Sequence, residues 1–373
     1  MLDTAPTVTD HTHTKSPPRW TRYAISLAGA WSLLYGALSA FWALGGEGVP
    51  FGRAGDPDAE VSIVGHLDGV SVARGMAVFA LAGVVVAVAM HRSRGTWHIA
   101  RGTSRAPRVA VLGFAWAAAL GLTVVLPDYR LLLTVAYTPI LLVGGLFGWP
   151  EGYGLLDLYK WPVVHQFILA AGGLAWAAAA VTYLRRISDA CARCGRTAVP
   201  SRWTTPDAAA RWGRWAVAVA VVIPVLYAVT RWAWALGVPL GISEAFLREG
   251  QRTGLWIAGA TLASMGIGGA ILTLGLTQRW GEIFPRWIPG LAGRRVPPRL
   301  ATIPAALVSV LVTTAGFMYV RMTVAGYYGR FLAQNWAAVA PELLWPAWGA
   351  ALGAATLAYH YRRRGRCPAC DRT

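Results

Sequence analysis

Nine long apolar stretches with few charged residues dominate the chain and leave it few ways to fold. They lie near residues 22–45, 70–90, 108–127, 131–148, 163–184, 213–237, 254–278, 302–324 and 343–361. Most of them are long enough to cross roughly 30 Å of hydrocarbon as an α-helix. Only 14% of the 373 residues are charged and 55% are hydrophobic, which is outside the range of soluble domains. We therefore predict an all-α polytopic membrane protein.

The basic residues mark one side of the membrane. They gather beside the ends of the apolar stretches: 25 of the 34 Lys and Arg, but only 6 of the 17 Asp and Glu, fall in residues 1–22, 91–108, 185–214, 279–299 and 362–373. This is the positive-inside pattern. We predict that these segments lie in the cytoplasm of a bacterium, beside anionic lipid of the inner membrane. The net charge of +17 then reflects the lipid bilayer as partner and predicts no nucleic-acid binding.

The same bias raises a question about the stretch 131–148. Three apolar stretches lie between the basic segments 91–108 and 185–214, and three crossings would put one of those segments outside. The stretch 131–148 is the shortest, contains Pro139 and is rich in glycine at its end. A broken helix is tolerated at membrane depth where protein buries it. We predict eight full spans with both termini cytoplasmic and 131–148 re-entrant; a ninth span is the alternative.

A basic segment ending in a C-x-x-C pair occurs twice. Residues 183–196 read YLRRISDACARCGR and residues 359–372 read YHYRRRGRCPACDR. Each tyrosine stands eight residues before the first cysteine, and the four cysteines of these segments are the only ones in the chain. The repetition predicts that the protein is a tandem duplication.

Two further pairs of segments follow the same order in both halves. Leu34-Tyr35 precedes Trp42-Ala-Leu-Gly45 as Leu226-Tyr227 precedes Trp234-Ala-Leu-Gly237, and the pairs Trp161-Pro162 and Trp345-Pro346 are placed to open the last helix of each copy. We predict two parallel four-helix repeats. The predicted division is a disordered cytoplasmic tail (1–21), repeat 1 (22–194), a cytoplasmic linker (195–212) and repeat 2 (213–373).

The W-A-L-G segments resemble small four-helix actinobacterial membrane proteins of unknown function. The resemblance covers each half separately and rests on Trp42 to Gly45, continuing to Gly46, and on Trp234 to Gly237. The second half departs from it by carrying Val238 in place of the second glycine. The resemblance implies a membrane-embedded four-helix unit and implies no activity or catalytic residue.

The cysteine pairs predict a metal site. Each C-x-x-C can supply two of the four thiolate ligands of a tetrahedral metal site, and two such pairs complete a four-cysteine zinc site. Cys191, Cys194, Cys367 and Cys370 all fall on the predicted cytoplasmic side, where structural disulfides are rare. We predict one structural zinc that ties the two copies together. Iron in the same geometry, a redox-active dithiol and metal-free thiols are the alternatives.

A second set of ionisable residues lies near the predicted outer ends of the spans. We take as substrate-binding candidates Arg74, Arg130, His165, Arg231, Arg321 and Asp128, with Asp68, Asp157, Glu244, Glu249 and Glu342 close to them in sequence. Charges inside a bilayer usually face protein or a wet cavity, so this set predicts a polar pocket between the copies. The alternative is that the arginines reach the membrane surface and pair with loop carboxylates.

Three classes of function agree with these features. The first is binding or transport of a small amphipathic or ionic solute between the two repeats. The second is a membrane-embedded enzyme acting on a lipid, quinone or peptide at the outer face. The third is an accessory subunit that docks a cytoplasmic protein partner. The sequence contains no histidine box, phosphate-binding loop or dinucleotide motif, and it names no substrate.

Overall fold

The structure is a computed structural model that describes residues 19–93, 105–147, 154–199 and 201–372. The predicted disordered tail lies outside these ranges, apart from residues 19–21, which belong to the first helix. The middle of the basic segment 91–108 and the last residue of the stretch 131–148 also lie outside them.

The described residues form α-helices joined by loops and 3-10 turns, and the longest described connections between helices include 188–205 and 275–297. In chain order the helices are α1 (Arg19–Ala43), α2 (Gly52–Gly55), α3 (Gly69–Arg92), α4 (Arg105–Leu120), α5 (Tyr129–Gly145), α6 (Leu155–Leu158), α7 (Trp161–Ile187), α8 (Pro206–Ala235), α9 (Glu244–Arg252), α10 (Leu255–Leu274), α11 (Pro298–Val324), α12 (Gly329–Gln334), α13 (Ala340–Leu343) and α14 (Trp345–Arg363). A π-helical turn, Gly121–Val125, extends α4. The predicted all-α class is confirmed.

Seven of the described helices are long and apolar enough to cross a membrane. They are α1, α3, α4 with its π-helical turn, α7, α8, α10 and α11. Helix α5 has 17 residues and is shorter than a usual span. Helix α14 has 19 residues but ends in His360, Arg362 and Arg363, which lower its mean hydropathy. The seven helices support the prediction of a multi-pass membrane protein.

The order in which neighbouring helices contact one another is the same in both halves. In the first half, α1 packs against α3 and α7, and α7 packs against α4. In the second half, α8 packs against α10 and α14, and α14 packs against α11. The two halves meet where α5 and the π-helical turn contact α11. There Thr314 Oγ1 donates to the Thr123 carbonyl oxygen at 2.8 Å.

The W-A-L-G segments end the first helix of each half in the same way. Trp42 and Trp234 are both buried, with 1% of each side chain exposed. Gly45 and Gly237 follow the helices with φ of +93° and +85°, in the left-handed region that glycine tolerates. The next N–H, from Gly46 or Val238, donates to the carbonyl oxygen five residues earlier in both halves. The motif is therefore a buried anchor followed by a helix cap, and a valine is tolerated after the glycine.

The last helices of the two halves are aligned by a close glycine contact. A Cβ atom added to Gly173 of α7 would lie 2.9 Å from the Ala119 carbonyl oxygen, and one added to Gly349 of α14 would lie 2.7 Å from that of Ser309. Both glycines stand 18 residues before the first cysteine of their half. The Trp-Pro pairs do open α7 and α14. When the two helices are aligned on Gly173 and Gly349, however, the Trp-Pro pair of α7 lies two turns before that of α14, because α7 is eight residues longer.

Helix α5 lies across the N-terminal end of α7. At its start, Asp128 Oδ2 accepts a hydrogen bond from Gln166 Nε2, in the second turn of α7, at 2.8 Å. Ten residues later, Thr138 Oγ1 lies 2.9 Å from the Tyr159 hydroxyl, just before α7 begins. Both contacts of α5 are therefore made at the N-terminal end of α7. If α5 ran alongside α7 into the bundle, ten residues would carry it about 15 Å along α7.

We expect Gly349→Ala to destabilise the protein, because the new methyl group would overlap the backbone of α11. An overpacked helix contact of this kind costs about 1–3 kcal/mol. The matched control is Gly268→Ala in α10, where no described atom lies within 4 Å of the added Cβ. Thermal unfolding of both variants in detergent measures the difference. Equal unfolding temperatures for the two variants would contradict the packing assigned to α14.

Candidate metal centre and ligand cavity

The two C-x-x-C segments adopt the same turn. In each, the N–H of the first cysteine donates to the carbonyl oxygen five residues later, and the residue after the second cysteine donates back to the first cysteine. These bonds are Cys191 to Arg196 at 2.9 Å and Gly195 to Cys191 at 2.8 Å, then Cys367 to Arg372 at 3.1 Å and Asp371 to Cys367 at 2.8 Å. Gly195 and Asp371 both have positive φ, of +73° and +56°. Such a turn aims two sulfur atoms at a common point.

The two turns face each other across the halves. All four Sγ atoms lie within 4.8 Å of one another. Cys191 Sγ lies 4.0 Å from Cys367 Sγ, and Cys194 Sγ lies 3.6 Å from Cys370 Sγ. A tetrahedral ion with metal–sulfur distances of about 2.3 Å separates its sulfurs by about 3.8 Å. The four cysteines could therefore hold one metal ion, with two ligands from each half.

Reciprocal hydrogen bonds hold the two turns together. Arg196 Nη1 donates to the carbonyl oxygens of Arg372 at 2.9 Å and Gly365 at 3.0 Å. Arg372 Nη1 donates to the Arg196 carbonyl oxygen at 3.0 Å. The hydrogen bonds between the two turns and the arrangement of the four sulfur atoms thus both follow an approximate two-fold symmetry.

Arginine side chains also surround the four thiols. Arg185 Nη1 donates to the Ala192 carbonyl oxygen at 3.1 Å, and Arg364 Nη1 donates to that of Cys194 at 3.4 Å. A divalent ion bound by four thiolates carries a net charge of −2, which these guanidinium groups offset.

The pKa values of two of the thiols move in opposite directions. Burial raises the pKa of Cys367, but hydrogen bonds from the Ala369 and Cys370 N–H groups outweigh burial and hold it at about 7. Burial and the neighbouring thiols raise the pKa of Cys370 to about 12. Adjacent thiolates repel each other, and a bound cation removes that repulsion.

The predicted outer residues fall into several separate clusters. Arg130 and Asp128 do come together, and both are buried at the start of α5. Arg130 Nη2 donates to Asp128 Oδ2 at 2.7 Å, while Nη1 and Nη2 donate to the two oxygens of Asp56 at 2.8 and 2.6 Å. The exposed carboxylate of Asp58 also lies 3.7 Å from Arg130 Nη1, so one guanidinium faces three carboxylates.

Arg321 and Arg74 occupy other positions. Arg321 Nη2 donates to the Val61 carbonyl oxygen at 2.7 Å and so joins α11 to a loop of the first half. Arg74 is exposed on α3, near Asp68. Asp68 accepts a hydrogen bond from the Ser71 N–H at 2.9 Å and caps that helix.

The remaining acidic residues near the outer ends have local roles, with one exception. Asp157 caps α6 through the Gly154 N–H at 2.7 Å. Glu244 and Glu249 pair with exposed arginines one turn away on α9. The exception is Glu342, which is 3% exposed and pairs with Arg231.

His165 and Arg231 occupy corresponding aromatic environments in the two halves. The His165 ring lies 5.8 Å from the rings of both Tyr35 and Trp42, and its Nε2 is hydrogen-bonded to the Tyr35 hydroxyl at 2.8 Å. In the second half, the Arg231 guanidinium lies 4.4 Å from the rings of both Tyr227 and Trp234. A histidine from the last helix in one half is thus replaced by an arginine from the first helix in the other.

A cavity of about 350 Å³ lies between α5 and the second half. Eight aromatic side chains line it together with Arg231 and Glu342: Tyr129, Tyr137, Tyr227, Trp234, Phe246, Trp256, Tyr319 and Trp345. Glu342 Oε2 and Trp345 Nε1 are buried and have no hydrogen-bond partner in the part of the chain that the structure describes. Two residues of the cavity lining therefore each carry one unpaired polar atom, an acceptor on Glu342 and a donor on Trp345.

Sequence patterns pointed to some members of these sites and missed others. Asp56 and Gln166, the partners of the cluster around Arg130, carry no distinguishing pattern. The cavity face of α5 does carry one, because Tyr129, Leu132, Ala136 and Tyr137 recur at helical spacing. That spacing predicts a face in contact with protein, which supports a helix buried against a neighbour.

The fold and these sites define a multi-pass α-helical membrane protein with a four-cysteine cluster. No family model, no curated protein and no solved structure matches the chain. The resemblance to small four-helix actinobacterial membrane proteins therefore stays a prediction.

We expect purified protein to contain about one zinc ion per chain, bound by the four cysteines. Replacing both Cys191 and Cys194 with serine should abolish the metal and lower the thermal unfolding temperature, because it leaves two thiols without an ion. Elemental analysis by mass spectrometry measures the metal and distinguishes zinc from iron. A metal-free sample that unfolds at the same temperature as the metal-loaded protein would contradict a structural site.

Proposed function

We propose that the protein binds or transports a small amphipathic solute in the cavity between α5 and the second half. The proposal rests on the unpartnered Glu342 Oε2 and Trp345 Nε1 inside this aromatic cavity. A buried polar atom without a partner costs about 1–3 kcal/mol, which a bound polar group would recover. The cavity volume also falls within the range of small-molecule sites.

The lining determines the kind of solute that fits. Arg231 directs its donors at Glu342, at Thr230 and at the carbonyl oxygens of Ala337 and Ala338, so its charge is already neutralised. A solute would then meet one carboxylate oxygen that accepts and one indole N–H that donates. We propose a neutral or cationic solute with an apolar body and a head group that both donates and accepts hydrogen bonds.

The enzyme alternative has less support in the cluster around Arg130. Its Nε, Nη1 and Nη2 atoms all donate to Asp56 or Asp128. Arg130, Asp56 and Asp128 neutralise one another in this way, and such groups are poor candidates for proton transfer to a substrate.

We further propose that the chain is a tandem duplication with eight spans and both termini in the cytoplasm of a bacterial cell. The matching helix order, the matching W-A-L-G caps and the matching glycine contacts of α7 and α14 support the duplication. The position of α5 across one end of α7 supports its failure to cross. The four-cysteine cluster then lies on the cytoplasmic side, where a structural zinc would join the two repeats.

Reporter fusions test the topology. We expect a fluorescent reporter that matures only in the cytoplasm to be active after residue 373, and also when inserted after residue 199. A periplasmic alkaline phosphatase reporter should be active in the loop at 240, between α8 and α9. An active phosphatase at the C-terminus would contradict eight spans and favour nine.

The binding proposal can be tested with three probes of similar size and different head groups: phenethylamine, 4-ethylphenol and 3-phenylpropionate. We expect the amine and the phenol to raise the unfolding temperature of the purified protein and the carboxylate to have no effect. Glu342→Gln should weaken binding of the amine by about tenfold or more, since a hydrogen bond to a charged group contributes about 1.5–3 kcal/mol.

The matched control is Glu249→Gln, which removes the same charge from an exposed ion pair on α9. Trp345→Phe, which keeps an aromatic side chain but removes the N–H together with part of the indole, should weaken binding of the phenol. If no probe binds, or if Glu249→Gln weakens binding as much as Glu342→Gln does, the cavity is not the solute site.

A further inference from the structure

We infer that a second cavity, at the end of the bundle that carries the four cysteines, binds a phosphate group. This cavity has a volume of about 260 Å³ and lies between the N-terminal turn of α1 and the last turns of α7. Its polar lining consists of Thr21, Arg22, Thr182, Arg185 and Arg186, and the turn that leads into Cys191 closes one side. It is separate from the cavity between α5 and the second half, and this inference does not depend on the solute proposed for that cavity.

The second half of the protein provides an internal comparison. When the two halves are aligned on Tyr35 and Tyr227, Thr21 of α1 corresponds to Gly213 of α8. When they are aligned on Gly173 and Gly349, Thr182 of α7 corresponds to Ala358 of α14. At Gly213 the helices α8 and α14 are so close that an added Cβ would lie 2.7 Å from the Ala358 Cβ. The corresponding positions of the first half carry two threonines, whose larger side chains do not allow so close an approach, and both line the cavity.

The charge of the lining selects an anion. Three arginines, Arg22, Arg185 and Arg186, are among the residues that line the cavity, and no carboxylate lines it among residues 19–93, 105–147, 154–199 and 201–372. Asp189, the nearest carboxylate along the chain, is exposed. Arginine binds phosphate well because its planar donor groups match pairs of phosphate oxygens.

Thr182 adds a second, independent indication. Two other buried threonines donate to the carbonyl oxygen four residues earlier: Thr123 to Ala119 at 2.6 Å and Thr356 to Leu352 at 2.7 Å. Thr182 is 4% exposed, and its Oγ1 has no partner within the described ranges. A buried hydroxyl left in this state, in the wall of a basic cavity, is a ready donor to an oxyanion.

The position of the cavity indicates where the phosphate comes from. Trp20 and Tyr23 flank Arg22 and are 45% and 53% exposed. Aromatic side chains of this kind lie at the level of the lipid head groups. The Arg185 guanidinium stands 5.2 Å from the Trp20 ring, which holds it at the same level. The phosphate could therefore belong to an anionic lipid head group or to a free phosphate ion.

Calorimetric titration of the delipidated full-length protein in detergent separates the two sources. One arm uses inorganic phosphate, and the other uses a short-chain phosphatidylglycerol. We expect Thr182→Val, which preserves the shape of the side chain, and Arg22→Gln each to weaken binding by about tenfold. The matched control is Arg214→Gln, because Arg214 is an exposed arginine at the position of the second half that corresponds to Arg22.

Binding of either probe that is weakened by Thr182→Val and Arg22→Gln but not by Arg214→Gln supports the inference. Binding of the lipid alone identifies a head-group site, and binding of both identifies a site for phosphate itself. The inference is overturned if neither probe binds, or if all three variants weaken binding equally. The unfolding temperature of each variant without ligand shows whether it remains folded, and only folded variants enter the comparison.

Discussion

Hydrocarbon offers the protein backbone no hydrogen-bond partner, and this constraint determines where polar chemistry can occur in the chain. Each spanning segment must form a helix that satisfies its own backbone. The polar side chains that are not needed for packing are consequently found at the two ends of the bundle. One end holds the four cysteines and their arginines, and the other holds the buried ion pairs and the cavity between α5 and the second half.

The two ends differ in how symmetric they are. At the cysteine end the halves contribute equal parts, since each supplies two thiols and one reciprocal arginine, Arg196 or Arg372. At the other end the halves differ, because α7 continues for two turns beyond the point where α14 begins. The first half has an additional helix there, α5, and it packs against the second half. A cavity forms where the shorter α14 and the extra helix meet.

Buried charge follows the same asymmetry. The first half places His165 between Tyr35 and Trp42, whereas the second half places Arg231 between the corresponding rings and must neutralise it with Glu342. By the glycine register, Glu342 stands where the first half has Gln166. A full charge inside the protein has to be paired. The second half therefore has a buried arginine paired with a carboxylate, and that carboxylate lines the cavity between α5 and the second half.

The sequence by itself determined the class of fold, the pairing of cysteines across the chain and the positions of most helices. The reason is that length, hydropathy and a repeated C-x-x-C pattern are local properties that can be counted along the chain. It also pointed to Arg74, Arg130, His165, Arg231 and Arg321 as unusual, because an ionisable residue near the end of an apolar stretch is visible without a structure.

Only the tertiary structure decided which groups meet. Asp56 pairs with Arg130 across 74 residues, Glu342 pairs with Arg231 across 111, and α5 contacts the second half although it belongs to the first. No sequence signal links Asp56 to Arg130 or Glu342 to Arg231, because side chains far apart in sequence come together only through the packing of the helices between them. The two cavities likewise depend on how closely neighbouring helices approach each other. Those distances are set by the residues on both sides of each helix contact.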